Sequence, residues 1–350
     1  MHKFFDLKDL KSIEFDITSY CNSGCPICVR HEWGTSTPVK ELQLSHLDKN
    51  IIFDLVKYID KDVELNFNGV LGDAMMHPDI VEIATYLGNN GFKLAIETNG
   101  SSRNHKDWEE LGKVKNLKVQ FSIDGLGDTN FIYRIKTNFD KIISNAKTFI
   151  EAGGNANWKF IVFEHNEHQV DTAKQMAEDI GFKKFITLES VRFLQTEYKI
   201  DSSFYKYNTE AKQQDYFIRP SSNVKDKLNK FLISTMKDAP VDGIECKSIH
   251  RKDLFVAHDG KLWPCCFFES FKYKQDFKSF YDTALLKYGS GFNNLYNQNF
   301  KDTFNSDFFQ KFLYENWTTD PNKVCKLKCG KKFKGIDWKT TTNIVVDKIR

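Results

Sequence analysis

What the chain lacks narrows its function before any motif is read. No stretch of about 18 uninterrupted apolar residues occurs among its 350 residues, so no membrane-spanning helix is expected. The first residues, Met1 to Lys11, mix Phe, Leu, Lys and Asp and lack the apolar core of a signal peptide, so a cytoplasmic location is expected. An excess of charge of one sign is missing as well: 50 basic against 47 acidic residues leave +3. That balance gives no whole-molecule field to attract nucleic acid or an anionic membrane. No internal repeat is present. Apolar, aromatic and charged fractions of 41%, 14% and 28% exclude collagenous, coiled-coil and mainly disordered chains. The length suits one large domain and a smaller one.

Cysteine is absent from residue 29 to residue 245, yet the chain has eight. Cys21, Cys25 and Cys28 stand near the start, and Cys246, Cys265, Cys266, Cys325 and Cys329 in the last third. In a reducing compartment such clusters point to metal or redox chemistry rather than a disulfide framework.

Six short runs rich in β-branched and aromatic residues alternate with amphipathic stretches through the first half. Strands are expected at 13–18, 63–68, 93–98, 117–123, 158–163 and 185–188, and helices at 45–59, 78–90, 104–114, 138–152 and 167–180. This alternation predicts an α/β fold, a partial (βα)6 TIM-like barrel of parallel strands with helices outside. In such folds functional groups gather at the C-terminal ends of the strands. There lie the first three cysteines, Gly69 to Asp73, Thr98-Asn99-Gly100 and Ser122 to Gly125. After about Glu189 the rhythm is lost. Domains are expected at 1–195 and 241–350, joined by a linker with a helix near 224–236. In the second domain Asp259-Gly260 signals a hairpin between 254–257 and 261–264, and the Phe- and Tyr-rich segment 267–317 reads as aromatic packing.

Cys21-x-x-x-Cys25-x-x-Cys28 follows the first strand and places three thiolates on one loop, which suits a corner of an iron-sulfur cube. A cube has four irons, so one stays open to a small molecule. A zinc knuckle with His31 as fourth ligand uses the same residue types. The spacing resembles the defining loop of the radical S-adenosylmethionine (SAM) superfamily. That resemblance implies that SAM chelates the open iron and is cleaved by one electron to a 5′-deoxyadenosyl radical, which takes hydrogen from substrate. Gly69-Val70-Leu71-Gly72-Asp73 resembles the family's Gly-Gly-Glu-Pro segment, with two residues interposed and Asp in place of Glu. Thr98-Asn99-Gly100 and Ser122-Ile123-Asp124-Gly125 resemble further family segments. The resemblance covers about residues 12–190. It implies SAM contacts from Gly72, Asp73, Thr98, Asn99, Ser122, Asp124, Arg134 and Asn166. For Asn166 a helix N-cap is the other reading. Ile27 stands where many members have an aromatic residue.

Cys246, the Gly260 hairpin, Cys265 and the Cys325-x-x-x-Cys329 pair resemble the SPASM and twitch extension of one branch of this superfamily, a small α+β domain. The resemblance implies a second 4Fe-4S cluster on Cys246, Cys265, Cys325 and Cys329, with Cys266 as the alternative to Cys265. Such a cluster has no open iron and implies electron transfer. Structural zinc would also suit four cysteines. Lys326, Lys328, Lys331, Lys332 and Lys334 form a local basic patch, either a solvated surface or a dock for a flavodoxin, a ferredoxin or an acidic substrate. The expected cofactors are therefore two 4Fe-4S clusters and SAM. The expected partners are an electron donor and a substrate, with a peptide or protein preferred over a small-molecule alcohol or a nucleotide. A non-enzymatic zinc-binding protein is the reading of another class.

Overall fold

The computed structural model describes residues 4–32, 34–190, 205–208, 215–224, 243–270, 272–273, 275–319, 321–330 and 345–348. The fold is mixed α/β with parallel strands at its core, as the alternation predicts. It divides into two compact units that interleave along the chain. One comprises Met1–Tyr20, Lys40–Ile96 and Ala239–Lys334, and the other Cys21–Val39, Glu97–Asp238 and Gly335–Arg350.

In the first unit β1 (Ser12–Phe15) is hydrogen-bonded in parallel to β2 (Glu64–Phe67) on one side and to β9 (Asp253–Val256) on the other. β3 (Lys93–Thr98), which begins here, continues the parallel order beside β2. β9 turns through His258-Asp259-Gly260 into β10 (Leu262–Trp263), antiparallel to it. The hairpin signal was correct, but its first strand extends the sheet of β1. Alternation explains why: Ile13 and Phe15 are wholly buried, and Phe15 stacks on Phe67 at 5.3 Å. Burying one such ring contributes about 1.5–3 kcal/mol. Asp48 caps helix α1 (Lys49–Leu55) by accepting from the Asn50 N–H, and α2 (Ile80–Asn89) follows the second strand. The aromatic segment packs as expected, with Trp263, Phe268, Phe292 and Phe308 forming a ring cluster.

In the second unit β4 (Leu117–Ser122), β5 (Asn155–Val162) and β6 (Lys184–Glu189) run parallel, and β11 (Val345–Lys348) closes the order antiparallel to β6. β7 (Tyr205–Asn208) and β8 (Asp215–Ile218) form a separate antiparallel pair. Helix α3 (His105–Gly112) starts at Asn104 and α5 (Phe139–Glu151) at Asn138, and each asparagine accepts from a first-turn N–H. The four-residue α4 (Asn130–Tyr133) precedes Arg134. Helix α6 (Val170–Ile180) stops at Gly181, whose φ of +97° is the left-handed cap that glycine adopts without penalty. Trp108, Phe121, Phe149, Trp158 and Phe182 fill the core. Of the helix expected near 224–236, residues 222–224 are helical and the remainder lies outside the described residues, as does most of the linker.

Candidate cofactor sites

The first unit contributes the glycine turn. A Cβ on Gly72 would stand 1.8 Å from the Thr18 carbonyl oxygen and 2.8 Å from that of Tyr20, so only glycine lets the turn press against the chain leading to Cys21. The Asp73 N–H donates to the Tyr20 carbonyl at 2.9 Å. Asp73 is buried, and its Oδ1 accepts from the Met75 N–H at 3.0 Å, capping the short turn Ala74–Met76. The carboxylate expected to face a ligand therefore spends one oxygen on holding its own backbone.

The second unit contributes the cysteine loop. The Ser23 N–H lies 3.4 Å from Cys21 Sγ, the Ser23 hydroxyl 3.1 Å from Cys25 Sγ, and Arg134 Nη1 3.8 Å from the same sulfur. Donors aimed at sulfur favour thiolate over thiol. Burial pushes the Cys25 thiol up, with Arg134 opposing the rise. His31 is buried, with Nδ1 2.9 Å from the Cys25 carbonyl oxygen, which ties one ring nitrogen to the backbone of the loop.

Around this loop the strand ends form hydrogen-bonded sets. Thr98 Oγ1 accepts from the Gly100 N–H at 3.0 Å. Asn99 accepts from the Ser101 N–H and donates to Asn22 Oδ1 at 2.8 Å, and Asn22 donates to Ser101 Oγ at 2.8 Å, which fastens the Thr-Asn-Gly loop to the residue after Cys21. Ser122 donates to Glu97 at 3.3 Å. Glu97 also accepts from Gln120 at 3.0 Å and pairs with Lys159. Burial opposes the Glu97 charge, but Lys159 and Arg134 outweigh it and hold the carboxyl below its usual range.

Asp124 is fully buried and pairs with Arg134 at 2.6 Å. Its other oxygen accepts from the Ile161 N–H at 2.6 Å. Asn166, also fully buried, donates to the Asp124 and Ile161 carbonyls and accepts from the Phe163 N–H. All three of its bonds go to backbone at the ends of β4 and β5. No side-chain cap forms at the short helix it precedes, so Asn166 acts as a brace.

The auxiliary cysteines lie wholly in the first unit. Cys246 opens the helix Lys247–Arg251, and Cys325 and Cys329 lie on the helix Lys323–Cys329. The Glu245 N–H donates to the Cys329 carbonyl at 2.8 Å, which sets the two cysteine segments side by side. Burial, then its neighbours Cys266, Cys246 and Cys325, push the Cys265 thiol up. Burial pushes Cys246 and Cys325 each to about 12, with Cys329 adding to both. Trp317 Nε1 and Asn322 Nδ2 each donate to Cys325 Sγ at 3.3 Å. Cys266 faces elsewhere: its thiol is hydrogen-bonded to Glu14 and pushed up by burial and that carboxylate. Among the described residues no three His, Cys, Asp or Glu side chains converge as tightly as a single metal ion requires. A four-iron cube spaces its thiolates by its own width, and an all-thiol donor set suits it.

The radical SAM superfamily model matches residues 15–180, and an iron-sulfur cluster-binding domain of the SPASM type matches residues 246–330. The chain carries a radical SAM domain followed by a SPASM-type domain. It is 27% identical over 119 residues to the tungsten-containing aldehyde ferredoxin oxidoreductase cofactor-modifying protein of Pyrococcus furiosus, a match covering 33% of this chain and 32% of that protein. The chain thus spans about a third of that relative's length. It is 23% identical over 303 residues to the cysteine-type anaerobic sulfatase-maturating enzyme of Clostridium novyi, covering 77% and 76% of the two chains. SuiB of Streptococcus suis bound to its precursor peptide SuiA shares the fold, with a TM-score of 0.53 at 14% identity over 92% of this chain and 70% of SuiB. Radical SAM and SPASM domains generally bind 4Fe-4S clusters and SAM.

Several residues around the two cysteine sites escape motif reading: Asn22, Ser23, Glu97, Lys159, Trp317 and Asn322. The signal for Glu97 and Lys159 is a charged residue inside an otherwise apolar strand. The donors to sulfur leave no sequence pattern. Of the lysine patch, Lys328 is buried with its ammonium 5.2 Å from the Phe267 ring centroid, so it is no part of a solvated surface. Lys331, Lys332 and Lys334 lie outside the described residues.

Proposed function

We propose that this chain is a radical SAM enzyme whose Cys21, Cys25 and Cys28 hold the SAM-binding 4Fe-4S cluster, and whose Cys246, Cys265, Cys325 and Cys329 hold an auxiliary 4Fe-4S cluster. When bound, the reduced cluster and SAM supply the 5′-deoxyadenosyl radical that removes hydrogen from substrate. The observation that carries the reading is the set of hydrogen-bond donors aimed at sulfur in both cysteine groups: Ser23 and Arg134 at one, Trp317 and Asn322 at the other. Such donors stabilise thiolates and tune cluster potential.

The family pattern assigns Gly72, Asp73, Thr98, Asn99, Ser122, Asp124 and Arg134 to SAM. Asn99 and Ser122 serve that role through the loop and the Glu97–Lys159 pair they anchor, and Asn166 by bracing Asp124. Cys265 is the ligand favoured over Cys266, because its thiol is grouped with Cys246 and Cys325 while that of Cys266 bonds Glu14. The substrate we favour is a peptide or protein side chain, since SuiB binds a precursor peptide and the Clostridium relative matures a sulfatase. The electron donor is a flavodoxin or ferredoxin.

Anaerobic reconstitution tests the assignment. Wild type should take up about eight irons and release 5′-deoxyadenosine from SAM under dithionite. The Cys21→Ala, Cys25→Ala, Cys28→Ala triple variant should keep about half the iron and lose that release. Tight zinc with no iron uptake, or 5′-deoxyadenosine from the triple variant, would overturn it. Incubation with SAM and a pool of deuterium-labelled candidate peptides, read by mass spectrometry for deuterium carried into 5′-deoxyadenosine, identifies the substrate.

A further inference from the structure

Beneath the glycine turn lies a buried acid–base group that the proposed reaction does not use. Asp16, His258 and Glu269 are 0%, 1% and 0% exposed and come from three segments: the end of β1, the β9–β10 hairpin and the helix Cys266–Ser270. Asp16 Oδ2 accepts from the Leu71 N–H at 2.9 Å, and Asp16 also accepts from the Gly72 N–H. His258 Nδ1 lies 2.6 Å from Ser45 Oγ, and its Nε2 is 3.5 Å from Glu269 Oε1. Asp16 Oδ1, His258 Nε2 and Glu269 Oε2 have no hydrogen-bond partner among the described residues. Unsatisfied buried polar atoms are uncommon and ask for an explanation.

Charge balance supplies one. Lys272 bonds Glu269 at 3.2 Å and Asp259 at 2.8 Å, and Lys261 pairs with Asp259. Three carboxylates (Asp16, Glu269, Asp259) face two ammonium groups and one imidazole, so the cluster is neutral only when Asp16 and His258 hold one proton between them. Burial pushes Asp16 up to about 7, with Glu269 adding to the rise and His258 and the Leu71 and Gly72 N–H groups opposing it.

We propose that Asp16, His258 and Glu269 form a one-proton site that sets the Gly69–Asp73 turn, and that SAM binding on that turn is linked to release of this proton. Ionised Asp16 makes charge-assisted bonds to Leu71 and Gly72, and these are stronger than those of the neutral acid. A ligand that needs the ordered turn favours the ionised form, lowers the group's affinity for its proton and binds more tightly as pH rises. Asp16 is here a positioning residue. The inference rests on the assignment of Gly72 and Asp73 to SAM, but the proton site itself does not.

The test has two arms. In the full chain without cofactors, an infrared pH titration should show one protonated carboxyl that ionises near neutrality and is missing in Asp16→Asn. The exchange protection of the peptide spanning residues 69–73 should rise along the same titration. In His258→Gln, which covers the case of a poorly folded Asp16→Asn, the carboxyl should ionise at higher pH, because no imidazole remains to share its proton. No such carboxyl, or one that survives in Asp16→Asn, overturns the site. In reconstituted protein, calorimetry of SAM binding in two buffers of different ionisation enthalpy should find release of up to one proton, with affinity rising at most about tenfold per pH unit. Normal SAM binding without proton release overturns the linkage. Absence of any SAM binding defeats the assignment of the turn and the linkage together, while the infrared arm still judges the proton site.

Discussion

Cys265 and Cys266 are neighbours in sequence and opposites in environment. One thiol is grouped with Cys246 and Cys325, and the other is bonded to Glu14 on β1. Cys265→Ala should therefore abolish the electron paramagnetic resonance signal of the auxiliary cluster, and Cys266→Ala should leave it. The reverse outcome would reassign the ligand. Side-chain direction, which spacing does not encode, is what separates the two. Trp317 offers a second residue-level prediction. Its indole N–H bonds Cys325 Sγ, and a donor to sulfur stabilises the more negative, reduced cluster. Trp317→Phe should lower the auxiliary midpoint potential by some tens of millivolts, where about 59 mV is a tenfold change for one electron. A redox titration that finds no shift would remove Trp317 from the tuning of the cluster.

At the scale of elements, the brace formed by Asn166 joins the ends of β4 and β5. Asn166→Ala removes the partner of the buried Asp124 carbonyl, the half-buried Ile161 carbonyl and the buried Phe163 N–H, at a cost of about 1–3 kcal/mol for each buried group left unsatisfied, softened where water enters. Urea unfolding should show a loss of a few kcal/mol. A change below about 0.5 kcal/mol, the size of an ordinary surface substitution, would mean the bonds do not hold the strand ends. Elements of this kind were legible in part. The six parallel strands were readable because apolar alternation is written locally, and Asn104, Asn138 and Gly181 mark helix ends by their own chemistry. The strand that became β5 begins earlier than expected, at Asn155, because its register with β4 recruits Asn155, Ala156 and Asn157, which carry no strand pattern of their own. The glycine turn was legible as glycine. Its reason, the Thr18 carbonyl that leaves no room for a Cβ on Gly72, is a contact between segments more than fifty residues apart.

For the molecule as a whole, pH dependence follows from its buried acids. Asp16 in the folded chain is raised to about 7 from the ordinary value of 3.8. Between those values the folded state keeps a proton that the unfolded state has released, so the group's contribution is complete below about pH 4 and is lost as pH rises toward 7. The slope is on the order of 1.4 kcal/mol per pH unit, an upper bound because His258 shares the proton. Asp259 works in the opposite sense. Burial opposes its charge, but Lys272 and Lys261 prevail and hold it well below the carboxylate range, so its stabilisation is present above about pH 4 and is lost as pH falls below that. Urea midpoints of the cofactor-free chain should therefore fall from pH 5 to pH 7 in wild type and do so less steeply in Asp16→Asn. Parallel curves would show that Asp16 does not carry the dependence.

The pairing of β1 with β9 also bears on how the chain is made. Residues 12–15 take their place between residues 64–66 on one side and 253–256 on the other. At about 5–20 residues per second of synthesis, the first strand waits roughly 10–50 s with one edge uncovered before its second neighbour leaves the ribosome. For that interval the nascent sheet has an open side on which a foreign strand can settle. A chain halted before residue 253 has also not yet produced Cys265, Cys325 or Cys329. Closing the sheet and completing the auxiliary cysteine set are thus late events of one translation, and a truncated product lacks both.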